Sequence, residues 1–191
     1  MLSKLKKSKS EGFTIIEVMI VLAIAALILL IVLLAVPALQ RSSRNTQRKN
    51  DAAAIGSTIA NFISNNGGSL PNQVAGDGTN TNNLVISASS GTTNTETAKL
   101  GYYTVDTSAT GGSSSGKVYI NNVGSTLATP TVAAPGSESS TAATTQSVII
   151  EVGENCDSTG TKAGSLSPRT AAIFYVTETG SGNGALQCVE Q

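Results

Sequence analysis

The chain has 191 residues, twelve basic and twelve acidic side chains, and neither histidine nor tryptophan. Without histidine, the usual general base, the Ser-His and Cys-His nucleophile pairs and the commonest metal ligand are all missing. Nothing gathers Asp, Glu or Lys in their place, so an enzyme is not expected, and neither a cofactor nor a metal is called for.

The balanced charge is unevenly spread. Lys4, Lys6, Lys7 and Lys9 crowd the start, and Arg41, Arg44, Arg48 and Lys49 follow a long apolar run. Beyond Ala52 there are four bases against nine acids, in a body rich in Ser, Thr, Asn and Gly. An acidic body argues against binding nucleic acid through that body. The basic stretch is the one candidate for such a partner, which is possible but not indicated.

From Ile15 to Val36 every residue is apolar except Glu17. A bilayer core takes about 20 helical residues, so this run spans it with some to spare. A cleavable secretory signal has an apolar stretch of roughly 7–15 residues, and this run is too long for one. A plain single-pass anchor, its N-terminus held in the cytoplasm by the lysines, accounts for the length but not for Glu17. An acid near the end of a spanning helix costs about 2–3 kcal/mol or less, and such acids are functional candidates.

The string KSKSEGFTIIEV, Lys7 to Val18, resembles the prepilin leader of type IV pilins and pseudopilins. In that family a short basic leader ends in Gly, the mature chain begins with Phe, and Glu stands fifth after the cut. Here those positions are Gly12, Phe13 and Glu17. The resemblance implies a leader at 1–12, cut between Gly12 and Phe13 by a membrane-embedded prepilin peptidase, and N-methylation of the new Phe13 amine. Cutting before the apolar run leaves the anchor in place and creates a cation close to Glu17. Because a buried charge needs a partner, Glu17 is the expected assembly residue, pairing with the amine of its own or a neighbouring subunit. The sequence departs from the family pattern at Pro37 and Ala26: the pattern usually has its Pro nearly one helical turn earlier, and a Gly where Ala26 stands.

Pro37 is expected to bend the helix rather than end it, since helix-compatible sequence resumes at once. Ile55, Ile59, Phe62 and Ile63 then mark one face of a helix, and Asn65-Asn66-Gly67-Gly68 stops it. The expected helix, Phe13 to about Asn65, is on the order of 80 Å long at 1.5 Å per residue. Residues 13–39 form its transmembrane, filament-core half and 40–66 its amphipathic half. Arg41, Arg44 and Arg48 share a face, read either as solvated or as facing acids of a neighbouring subunit, anionic lipid or DNA.

Residues 67–191 read as an antiparallel β-sheet head packed on the second half of the helix, giving an α+β fold. Candidate strands are Leu84 to Ala88, Leu100 to Thr107, Lys117 to Val123, Ser147 to Val152, Ala171 to Thr177 and Ala185 to Val189. TSATGGSSSG and the run from Thr179 to Gly184 are expected turns. The Ser/Thr/Ala/Pro-rich stretch 124–146 has too little apolar content for a core and is expected as an exposed loop. Asp77 to Asn82 has one carboxylate and reads as a polar turn, not a calcium loop. Glu151, Glu154 and Asp157 read as a solvated loop.

Cys156 and Cys188 are open to two readings, free thiols or a disulfide, and an exported chain favours the disulfide. The bond would close a loop, 156–188, worth about 3–4 kcal/mol. In type IV pilins a similar C-terminal disulfide loop often shapes an exposed region, and the resemblance implies that role here.

The function expected is a structural subunit of a type IV pilus, serving adhesion, twitching motility or DNA uptake. Its partners would be copies of itself in a helical filament, prepilin peptidase, and the pilus assembly platform with its motors. It would cross the inner (cytoplasmic) membrane once before assembly, then lie in an extracellular pilus on the bacterial surface. The alternatives are a pseudopilin or minor pilin of a type II secretion-like system, and a membrane-tethered binding module that never polymerises.

Overall fold

The computed structural model describes residues 12–88, 94–105, 114–115, 117–122, 130–133, 137, 139, 142–180 and 184–191. The leader apart from Gly12, and most of the turn 107–116, lie outside them. The chain forms two compact units, Met1–Arg41 and Ser42–Gln191. One helix, α1 (Ile15–Asn65), runs through both, with Pro37 inside it.

In the first unit α1 is apolar on every side, because no polar residue follows Glu17 until after the proline. Its most apolar 18-residue window has a mean hydropathy of 3.5 and no buried residue. Such a helix suits hydrocarbon, where its backbone is satisfied internally. Pro37 supplies no N–H for the turn before it, yet α1 is unbroken across it.

In the second unit α1 turns amphipathic. Ala52, Ile55, Ile59 and Phe62 are fully buried, and Ile63 packs beside them. The helix ends as its asparagines and glycines lead one to expect. Gly67 takes φ +64°, and the Gly68 N–H returns to the Ile63 carbonyl at 2.8 Å. That is a Schellman closure, which favours glycine at the left-handed position.

Two sheets pack on this stripe. The first joins β1 (Gln73–Gly76), β2 (Asn83–Ser87) and β3 (Thr95–Lys99), antiparallel in that order. The second includes β4 (Ser114–Ser115), β5 (Val118–Asn122), β8 (Val148–Cys156), β9 (Ala163–Thr177) and β10 (Ala185–Glu190), in the order β10-β9-β8-β5-β4. It is antiparallel except for the β5–β8 pair, which is parallel. Val74, Leu84 and Ile86 of the first sheet and Val148, Ile150, Ile173 and Tyr175 of the second meet the helix stripe in one core. The chain is therefore α+β, with sheets on the second half of the helix.

Two strand expectations need correction, and one further strand was not expected. Leu100 to Val105 is not a strand. The strand is the polar segment Thr95–Lys99 just before it, paired to β2, while Leu100, Tyr103 and Val105 plug the core from irregular chain. Gln73–Gly76 is a strand despite weak β-formers, because it pairs with the apolar Leu84–Ile86 segment. Strand β9 begins at Ala163, eight residues before the expected start, through a bulged pairing with the end of β8.

The stretch 124–146 is not simply an exposed loop. Its β6 (Thr131–Val132) and β7 (Ala142–Ala143) pair in parallel, and Pro130, Ala143 and Thr144 are buried. The other residues of the stretch that would decide the matter, 124–129, 134–136, 138, 140 and 141, lie outside the described residues. What the described part covers is the far face of the second sheet. There Ile149, Ala172, Phe174 and Val176 form a second core with Ala143, Val132 and Leu186. Strand β8 is thus buried on both faces, which explains its apolar start, Val148 to Ile150. Glu151 and Glu154, expected in a solvated loop, instead lie buried within this strand.

Candidate functional site

Each unit carries one arrangement built by specific side chains. In the first unit it lies at the start of α1. Thr14 occupies the N-cap position and Glu17 the third helical position. The Thr14 backbone N–H and hydroxyl both donate to Glu17 Oε2, at 2.8 and 2.7 Å. The Glu17 N–H returns to Thr14 Oγ1 at 3.3 Å. This reciprocal pattern is a capping box, in which two orphan N–H groups of the helix end are satisfied. Glu17, read from the sequence as awaiting a partner, already has one within its own chain. The Thr-x-x-Glu spacing in TIIE is the signal that could have revealed it.

Phe13, 89% exposed, stands just before the cap. Phe13, Glu17, Val18, Val21 and Leu22 line an open groove of about 440 Å³ along the bare helix. It is an apolar trough with one carboxylate on its wall.

In the second unit, a polar cluster fastens α1 to the ends of the strands. Arg44 Nε and Nη2 make a two-pronged contact with Glu178 Oε1 and Oε2, at 2.9 and 2.6 Å. Arg48 Nη2 donates to Glu178 Oε1 and to the Tyr102 hydroxyl, both at 2.5 Å. The Arg48 guanidinium also lies 4.3 Å from the centre of the Tyr102 ring. Asn45 grips the backbone of the same residue, accepting from the Glu178 N–H at 2.8 Å and donating to its carbonyl at 3.0 Å. The hydrogen bonds from Arg44, followed by those from Arg48, hold the Glu178 carboxyl down to about 2 although partial burial opposes this. The same contact raises Arg44.

One turn further on, Asp51 accepts three backbone N–H bonds. Gly101 reaches Oδ1 at 2.7 Å, and Tyr102 and Tyr103 reach Oδ2 at 2.7 and 2.9 Å. Neither Asp51 nor Glu178 stands out in the sequence, because each works on a segment far away along the chain. The arginine face is correspondingly reassigned. Arg48 is wholly buried, and both Arg44 and Arg48 pair with Glu178 of their own chain. Of the three, Arg41 alone stays off this cluster, donating to the Pro37 carbonyl at 3.3 Å.

Cys156 and Cys188 are joined, with their Cα atoms 5.8 Å apart. The bond ties the end of β8 to β10 across the intervening β9, and the Cys188 N–H donates to the Gly160 carbonyl of the β8–β9 turn at 2.7 Å. Asp157 organises that turn by accepting from the Thr159 hydroxyl and from the Thr161 and Lys162 N–H groups. Asp77 does the same for its own turn, accepting from the Thr79 and Asn80 N–H groups and from Asn83. Hydrogen bonds to these donors depress both carboxyls.

The start of α1 therefore combines a capped carboxylate, an apolar trough and a bare membrane-length helix directly behind Gly12. Residues 7–33 match the prokaryotic N-terminal methylation motif. This methylation motif is the signature of a type IV prepilin-like leader, and it supports a type IV pilin-like or pseudopilin precursor. With the apolar helix, the motif points to a membrane-anchored precursor. It ends within the apolar half of α1 and leaves the head unmatched. Comparison with curated proteins and with solved structures found no match.

Proposed function

We propose that this protein is a structural subunit of a type IV pilus. Prepilin peptidase removes residues 1–12 and methylates the Phe13 amine, and copies then stack through the apolar half of α1 into an extracellular filament. The observation that carries this reading is the coincidence of the methylation motif with an apolar helix whose side chains are exposed among the described residues. Phe13 is 89% and Leu34 74% exposed. In the precursor, lipid covers that surface. In a filament, neighbouring helices would cover it, and packing of apolar surface supplies the cohesion.

The role is structural, so no chemistry is required of the head. The assembly platform and its motors are the partners that would draw subunits from the membrane, and the filament would serve adhesion, motility or DNA uptake. Shearing cells and probing the released fibres for this chain tests the proposal. Long fibres containing it as the main subunit are expected. Its confinement to the membrane fraction, or to short stubs, would favour the pseudopilin or tethered-module readings instead.

A further inference from the structure

Strand β10 is outermost in the second sheet, with β9 on one side and no strand on the other among the described residues. Just past its end, Ala171 and Gln191 exchange both backbone hydrogen bonds, at 2.9 and 3.1 Å. Bonded and non-bonded pairs alternate along an antiparallel ladder. The register of β10 on β9 therefore turns the N–H and C=O groups of Leu186, Cys188 and Glu190 away from β9. Such a row is an open edge on which another strand can pair.

The middle of this row is covered by the β8–β9 turn. The Cys188 N–H donates to the Gly160 carbonyl at 2.7 Å. Gly160 has φ +67°, and a Cβ there would lie 3.7 Å from the Cys188 carbonyl oxygen, so the turn rests on the edge itself. Asp157 stitches the turn from within, accepting from Thr159, Thr161 and Lys162. The Cys156 N–H donates to Glu190 Oε2 at 3.3 Å, and the Cys156–Cys188 bond joins the base of the turn to the strand it covers. The β8–β9 pairing shifts register twice between Val152 and Cys156, so that ladder alone fixes the turn poorly.

We propose that the turn 157–162 is a guard over the β10 edge, locked by the disulfide, and that its release lets β10 pair antiparallel with β10 of a second copy. The row is self-complementary. Rotated about Cys188, it sets the outward groups of Leu186 against those of Glu190 in the other copy. The segment ALQCVE carries a single charge, at Glu190, so little in it repels a twin. The lock opens by thiol–disulfide exchange: a dithiol gives up two electrons and two protons, Cys156 and Cys188 become thiols, and the dithiol closes into its own disulfide. The guard stands whether or not the chain enters a filament.

The test uses the full chain in detergent, which covers the apolar helix, over a series of concentrations. The wild type is followed oxidised and after reduction by a dithiol, and Glu190→Pro after the same reduction. Proline there lacks only an N–H that faces away from β9, so it blocks pairing at the edge and spares the ladder. Mass by light scattering and hydrogen exchange at the Cys188 amide are the two readouts. The oxidised chain is expected to stay monomeric, with the Cys188 amide protected. Reduction should speed exchange at that amide roughly tenfold in dilute samples, the size of one lost hydrogen bond. Dimers should then appear as concentration rises. Glu190→Pro should keep the fast exchange and lose the dimers. An oxidised Asp157→Ala chain, whose turn is loosened with the disulfide kept, should also exchange faster at Cys188. Unchanged exchange at Cys188, in the reduced wild type or in Asp157→Ala, overturns the guard. Reduced chains that stay monomeric, or that associate equally with Glu190→Pro, overturn the pairing, the latter because association through general unfolding is indifferent to the edge.

Discussion

Glu178, just beyond the end of β9, accepts hydrogen bonds from Arg44 and Arg48, one turn apart on α1. The pair is asymmetric. Arg44 is 40% exposed at its side chain and Arg48 only 1%. Removing the carboxylate would strand the buried guanidinium of Arg48 with Asn45 and Tyr102 for company. Glu178→Gln is therefore expected to destabilise the head by about 2–4 kcal/mol, most of it from Arg48. Arg44→Ala should cost about 1 kcal/mol or less, since exposed pairs contribute little. Chemical denaturation of both variants in detergent measures the difference.

The same residue sets an acid limit. Its carboxyl is held near about 2 in the folded chain against an ordinary 4.5. A carboxylate depressed by folding stabilises the folded state above its unfolded value, and that contribution is lost as the pH falls from about 4.5 toward about 2. Asp77 and Asp157, also depressed, act in the same direction. Stability of the wild-type head should fall through this window, and Glu178→Gln should flatten much of the fall. Thermal unfolding followed across the acid range reads it directly.

Asp51→Ala would leave the Gly101, Tyr102 and Tyr103 N–H groups without their acceptor. Two or more poorly solvated donors at this seam make the expected loss about 3 kcal/mol. Asp51→Asn should lose less, because its amide oxygen still accepts. Hydrogen exchange at those three amides is the local readout, with faster exchange expected in both variants and most of all in Asp51→Ala.

The disulfide closes a loop of sequence separation 32. Replacing both cysteines with serine should cost about 3–4 kcal/mol, a drop in melting temperature on the order of 10 °C for a chain of this size. The segment expected to loosen is the β8–β9 turn around Gly160, which reaches β10 through the Cys188 N–H. Proteolysis of that turn after reduction checks the location.

Burial separates the two halves of α1 in a further experiment. Ile59 is fully buried and Leu30 is 57% exposed. Ile59→Ala should destabilise the head by about 2–5 kcal/mol. Leu30→Ala should leave head stability unchanged and reduce fibre yield. Melting curves and shear yields on the two variants should move in opposite pairs.

The helix, its glycine stop and the buried stripe of Ile55, Ile59 and Phe62 were legible in the sequence, because spacing along a helix is a local signal. So were β5, β8 and β10, whose apolar runs are self-evident. The polar strand Thr95–Lys99 was not, because its pairing is dictated by Leu84–Ile86 of β2 and not by its own residues. The Arg–Glu178 and Asp51 contacts were equally hidden, since they join residues scores of positions apart and no periodicity announces them. At the N-terminus the position of Glu17 is conspicuous, and its partner Thr14, only three residues before it, is legible in the Thr-x-x-Glu spacing alone.

The central claim is that a Gly12–Phe13 scission and a retained apolar helix turn this precursor into a filament subunit. Mass analysis of the N-terminus of chains recovered from sheared fibres tests it most directly. The account predicts residues 1–12 absent and a single methyl group on the Phe13 amine. Fibres built from chains that still carry the lysine-rich leader would contradict it.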